Sequence, residues 1–118
     1  MILVDTSVWV QHLRSGSARL QALLSDDQVL CHPFVLGELA CGNLRKRQEI
    51  LALLAALPAA RMAEHHEVLH LLDSAHLYGR GLGWVDLHLL TSALISRCAL
   101  WTLDRQLQRA AAVLETAG

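Results

Sequence analysis

Two rhythms of apolar and polar positions run along this chain. Short unbroken apolar runs stand at Met1–Val4, Val29–Cys31 and Ala99–Trp101, as expected for strands buried on both faces of a parallel sheet. Between them the period lengthens to that of helices. In Glu64–Tyr78 the apolar residues Val68, Leu71, Leu72 and Ala75 fall at i, i+3, i+4 and i+7, one stripe of an amphipathic helix. Val85–Ser96 reads as a helix with Leu89, Leu90, Ala93 and Leu94 inward. Thr6 and Ser7 are placed to cap a helix reaching about Leu13. A turn at Ser15–Ser17 precedes a second helix, Ala18–Ser25. Pro33 suits the first position of a helix that carries Glu38 and ends near Gly42. Asn43–Leu57 reads as a long helix stopped by Pro58, and Asp104–Ala112 as the final helix. Gly79-Arg80-Gly81-Leu82-Gly83 is a loop, and a last strand is expected near Val113–Leu114. Short apolar strands separated by helices predict a helix-rich α/β fold around a short central parallel sheet.

Composition sharpens this picture. Leu (26) and Ala (16) far outnumber Val and Ile, which together total 11; unbranched side chains lose little rotamer freedom in helices. The length of 118 residues predicts one domain over 1–118. Ten Lys and Arg against eleven Asp and Glu give a net charge of −1, which excludes a protein that coats nucleic acid by bulk charge. Apolar residues make up 53% of the chain, more than so small an interior absorbs, so a homodimer face or a partner groove is expected. The longest apolar run, Ile50–Ala60, is broken by Pro58 and too short to cross a bilayer. The amino terminus has no basic segment before its apolar run, so no secretory leader is expected. Three widely spaced cysteines, Cys31, Cys41 and Cys98, point to reduced thiols in a cytoplasm.

The chemistry lies in the acids. Ligand sites of open parallel sheets lie beyond the carboxyl ends of the strands, where Asp5 and Asp104 fall. Glu38 and Asp86 stand out because their neighbours are apolar, in Phe34-Val35-Leu36-Gly37-Glu38-Leu39-Ala40 and Trp84-Val85-Asp86-Leu87. Each alone has an ordinary explanation: a strand-end acid, a helix cap, a narrow polar face. Four carboxylates converging on one pocket would repel one another by about 4 kcal/mol per pair at ~4 Å. Such a group needs partial protonation or a cation, and Mg²⁺, with Mn²⁺ as substitute, suits an all-carboxylate site. That combination belongs to metal-assisted phosphoryl chemistry.

Four segments, ILVDTSVW at the amino terminus, GELACG, GRGLGWVDLHLL, and LWTLD before the last helix, resemble in their order and spacing the PIN-domain family, and within it the VapC-type ribonuclease toxins of toxin–antitoxin pairs. The resemblance spans essentially the whole chain. It implies an α/β/α sandwich with a short parallel sheet and a metal site made by Asp5, Glu38, Asp86 and Asp104. It further implies Mg²⁺-dependent cleavage of RNA phosphodiesters, a homodimer, and silencing by a cognate antitoxin. On that reading Asp5 and Asp104 ligate directly, Asp86 is the third ligand, and Glu38 holds a second ion or an outer water. Thr6, Ser7 and Thr102 fix the acids by hydrogen bonds, although simple capping explains Thr6 and Ser7 as well. Some relatives carry another acid soon after the position of Asp104; here Arg105, Gln106 and Leu107 follow instead.

Other features weigh less. Arg80, Arg97, Arg105 and Arg109 fall near the expected pocket; Arg80 and Arg105, in segments adjacent to Asp86 and Asp104, are candidates for RNA phosphate contact, whereas Arg45-Lys46-Arg47 suits a solvated helix face. His66-Glu67-Val68-Leu69-His70 fits the H-E-x-x-H zinc pattern, but an exposed polar helix face explains it better. Trp9, Trp84 and Trp101 are expected to pack rather than to stack on bases. Two competing functions share the fold class: a phosphatase-like phosphoryl-transfer domain and a catalytically silent RNA- or protein-binding module. The first would need a second Asp two residues after Asp5, where Ser7 stands, or a late Lys, where the sole lysine is Lys46.

Overall fold

The computed structural model describes residues 1–118. Its elements, in chain order, are β1 (Ile2–Val4), α1 (Thr6–Ser15), α2 (Ala18–Ser25), β2 (Val29–Leu30), α3 (Pro33–Ala40), α4 (Arg47–Ala55), α5 (His65–Ser74), α6 (Trp84–Ile95), β3 (Ala99–Trp101) and α7 (Arg105–Val113). The three strands form one parallel sheet in the order β2-β1-β3. Leu3 of β1 faces Leu30 on one side and Leu100 on the other, and Val4 pairs with Trp101. Because the chain leaves β1 first toward β2 and later crosses back to β3, the connections part above β1. A crevice opens at such a switch point, and Asp5 is the residue that follows β1 there.

The helix-rich α/β sandwich expected from the pattern is therefore present. Leu3, Val4, Val8, Leu89, Leu90, Ala93 and Leu107 are fully buried in a single apolar cluster. Helix α6 runs through its centre and packs on α5 and β3. No helix is long and apolar enough to cross a membrane.

Several boundaries differ from the pattern. The expected helix Asn43–Leu57 begins only at Arg47, because Lys46 turns left-handed (φ 52°) and the segment before it forms turns. The amphipathic stretch from Glu64 ends at Ser74, ahead of left-handed His76. The last strand predicted at Val113–Leu114 is absent there: Val113 closes α7, and Ala117 makes an isolated parallel bridge to Leu100 instead. Cys31 likewise extends β2 only through a bridge to Ala59. Leu94, expected inward, is half-buried.

Candidate metal centre

Each of the four acids is delivered by a different element. Asp5 follows the central strand and occupies the N-cap position of α1. Asp104 follows β3 and caps α7, its Oδ1 accepting the Leu107 N–H at 2.9 Å. Asp86 is the third residue of α6, and its Oδ2 accepts the Gly83 N–H at 2.9 Å. Glu38 lies on α3, where its Oε1 accepts the Thr6 hydroxyl at 2.6 Å. Three of the acids thus sit at helix amino termini, where the backbone dipole favours negative charge.

The hydroxyls form a scaffold around Asp5, which is only 7% exposed. Its Oδ2 accepts from Ser7 Oγ at 2.7 Å and from Thr102 Oγ1 at 2.8 Å. Those two hydroxyls in turn accept the Leu103 and Asp104 backbone N–H groups at 3.0 and 3.1 Å. The carboxyl ends of β1 and β3 are thereby bolted together through the acid. The role assigned to Thr6 and Ser7 as caps of α1 is not what the side chains do: Thr6 serves Glu38, and Ser7 serves Asp5. The Asp5 side chain makes no capping bond of its own.

A common pattern emerges. Each carboxylate binds the protein through one oxygen, leaving Asp5 Oδ1, Glu38 Oε2, Asp86 Oδ1 and Asp104 Oδ2 without a protein donor. The only side-chain polar atoms that are both sealed and unpaired are Trp9 Nε1 and His88 Nδ1, so these four oxygens open toward solvent. No lysine or arginine pairs with any of them; the one ion pair of the molecule joins His66 to Glu64. The acids feel one another. Burial raises the Asp86 pKa above its usual value, the Gly83 N–H opposes that rise, and the negative charges of Asp5, Asp104 and Glu38 add to it.

The donor set fits a hard divalent cation: all oxygen, all anionic, and without a resident counter-charge. As they stand, no three His, Cys, Asp or Glu side chains are close enough to hold an ion by themselves. The same test applies to His66 and His70, which are exposed on α5 and lack a third ligand, in keeping with a polar helix face.

The family model for the PIN domain matches residues 2–113. The chain belongs to the PIN-domain family. Ribonuclease VapC32 of Mycobacterium tuberculosis, in strains CDC 1551 / Oshkosh and ATCC 25618 / H37Rv, is 51% identical over 113 residues, covering 95% of this chain and 91% of the relative. In this PIN domain Asp86 feels the charges of Asp5, Asp104 and Glu38. Arg80 and Arg105 are both exposed, and neither pairs with an acid. Trp9 and Trp101 are buried as expected, the latter under the Arg19 guanidinium at 4.1 Å, while Trp84 is 38% exposed.

Sequence reading missed His32. It caps α3 by accepting the Phe34 N–H on Nδ1 at 2.9 Å, and its Nε2 faces Ser92 Oγ at 3.1 Å. The one signal available was its place directly before Pro33 at a helix start.

Thr102→Val keeps the shape of a side chain that is 2% exposed but removes the donor to Asp5 and the acceptor for the Asp104 N–H. Unfolding in urea is expected to show a loss of about 1–3 kcal/mol. RNA cleavage should fall as well, because Asp5 loses one of its two anchors.

Proposed function

We propose that the chain is a one-domain, metal-dependent endoribonuclease that hydrolyses RNA phosphodiesters and acts as the toxin of a toxin–antitoxin pair. The observation that supports this reading is the mutual electrostatic influence of Asp86, Asp5, Asp104 and Glu38, none of which has a lysine or arginine partner. The identity of 51% to a protein named a ribonuclease supports it.

Asp5 and Asp104 would hold the ion directly, with Asp86 as the third ligand and Glu38 toward an outer water. Mg²⁺ would be the physiological ion and Mn²⁺ its substitute, and such an ion would supply a lowered pKa for a bound water and a counter-charge for the phosphodiester oxygens. Thr102 and Ser7 hold the Asp5 carboxylate in a single orientation, so its free Oδ1 needs no rearrangement when substrate arrives. Thr6 fixes Glu38 in the same way, leaving Oε2 to accept a proton from the attacking water. Arg80 and Arg105 bring positive charge to the phosphates flanking the cut.

The enzyme works in the cytoplasm, where Cys31, Cys41 and Cys98 remain free thiols. The exposed Leu53, Met62, Leu69 and Val113 supply apolar surface for a homodimer and for the antitoxin segment that silences it. A silent binding module has no use for four unneutralised acids, and an aspartyl-phosphate mechanism lacks its second Asp, Ser7 standing two residues after Asp5, and its late lysine. Mapping RNA ends in cells after brief expression is the test. New ends should appear with the native chain and vanish with Asp5→Asn; identical end patterns for the two would refute the proposal.

A further inference from the structure

A cleft lies between two segments that lead to Asp86 and Asp104. Of about 460 Å³, it lies between α7 and the loop that runs from α5 to α6. Its polar lining is Arg80, Gln106 and Arg109, and its floor includes Leu77, Leu82 and Ala110. No carboxylate lines it. Neither guanidinium has an ion-pair partner, and the molecule as a whole is slightly acidic, so this is positive charge left unspent in one place. Arg105, also expected near substrate, does not line the cleft; Arg109, one turn further along α7, does.

The loop is built to make this wall. Gly81 is left-handed (φ +76°), and a Cβ there would stand 3.5 Å from Gln106 Cγ. The backbone can therefore turn tightly against α7 and carry Arg80 to the rim. Both walls also lead to the acids. Two residues past Gly81, Gly83 donates to Asp86, and α7 begins at Asp104, five residues before Arg109 or about 7.5 Å along the helix axis.

We infer that this cleft binds a nucleotide of single-stranded RNA adjacent to the scissile phosphate, with the Arg80 and Arg109 guanidiniums on the backbone and the apolar floor against ribose and base. The inference rests on the nuclease reading above and adds where the strand lies. Guanidiniums match phosphate oxygens through paired N–H donors, and the apolar floor suits the flat face of a base, which the carboxylates of an acidic peptide would not use. The walls' continuity with Asp86 and Asp104 favours RNA over such a peptide, since the loop and α7 both lead from the guanidiniums toward the acids.

The test measures binding and cutting separately. Binding is read by fluorescence anisotropy with a labelled mixed-sequence RNA of twelve or so nucleotides, in EDTA and over a range of salt, using the native chain, Arg80→Gln, Arg109→Gln and the double variant. Arg61→Gln is the control, because Arg61 lies against Ser96 at the far end of α6 from Asp86. Each cleft variant should weaken binding about tenfold. Each should also flatten the plot of log affinity against log salt by about 0.7. Arg61→Gln should change neither. A double variant with native affinity and salt slope overturns the inference, as does a glutamate-rich peptide that displaces the RNA from the native chain in an Arg80- and Arg109-dependent way. Cleavage is scored independently with Mg²⁺ added. A native chain that cuts RNA while the double variant binds normally sinks the cleft alone. A chain that binds through the arginines and never cuts sinks the nuclease reading and leaves the cleft standing.

Discussion

Purified Asp5→Asn is expected to lose RNA cleavage by about a thousandfold or more while keeping its fold. The substitution preserves shape and leaves an acceptor for Ser7 or Thr102, which together hold Asp5 Oδ2 at 2.7 and 2.8 Å. What it removes is the one charge that lies buried at the carboxyl end of the central strand. A thousandfold is about 4 kcal/mol of transition-state stabilisation, an ordinary amount for a carboxylate on which a catalytic ion depends. Asp5 also raises the Asp86 pKa, so the variant relieves part of the mutual repulsion. Its thermal midpoint without divalent ions should therefore equal or exceed that of the native chain. Single-turnover cleavage of a labelled RNA, alongside far-ultraviolet circular dichroism, checks both halves. A folded variant cutting at the native rate would remove Asp5 from the mechanism.

The second large effect is on stability and follows from His32. Its side chain is 1% exposed, and burial, with a smaller contribution from His88, lowers its pKa from 6.5 to about 4. The hydrogen bonds agree: Nδ1 is an acceptor for the Phe34 N–H, so the ring is neutral with its proton on Nε2 toward Ser92. Because the folded state holds fewer protons than the unfolded state between pH 4 and 6.5, the stabilisation is complete above pH 6.5. It is lost as pH falls through that window. The shift corresponds to about 3 kcal/mol over the whole window, a large share of the roughly 5–15 kcal/mol that holds a typical domain together. Urea unfolding at pH 7.5 and 4.5 should show a loss of about 2–3 kcal/mol at the lower pH. In His32→Asn, which retains a capping oxygen, that loss should shrink to what the remaining groups cause. An unchanged pH dependence in His32→Asn would assign the acid sensitivity elsewhere.

Much of this architecture is legible in the sequence, and the failures have a common cause. The runs at Ile2–Val4 and Ala99–Trp101 are visible because they are apolar on both faces, and Asp5 and Asp104 because each follows such a run. Asp86 shows itself through the glycine loop before α6. The stretch from Glu64 reads too long because its helix ends without glycine: His76 adopts the left-handed conformation just past α5, a role in which glycine is the usual signal. Lys46 does the same ahead of α4. Thr6 and Ser7 look like caps because hydroxyls at helix starts usually are; their actual partners, Glu38 and Asp5, depend on how α3 and β1 come together. The arginine cleft was half visible. Arg80 and Arg109 both fall near the expected pocket in the sequence, but that they share one cleft without Arg105 depends on which face of α7 the loop meets, and that is decided by tertiary packing around Gly81.

Central to the account is the claim that the charges of Asp5, Glu38, Asp86 and Asp104 share one metal counterweight. Anomalous X-ray scattering from crystals soaked in Mn²⁺ addresses this most directly. The account predicts a strong peak above β1, bonded to at least one of Asp5 and Asp104 and absent in Asp5→Asn crystals. Manganese found only elsewhere, for instance between His66 and His70, with the four acids bare at saturating concentration, would contradict it.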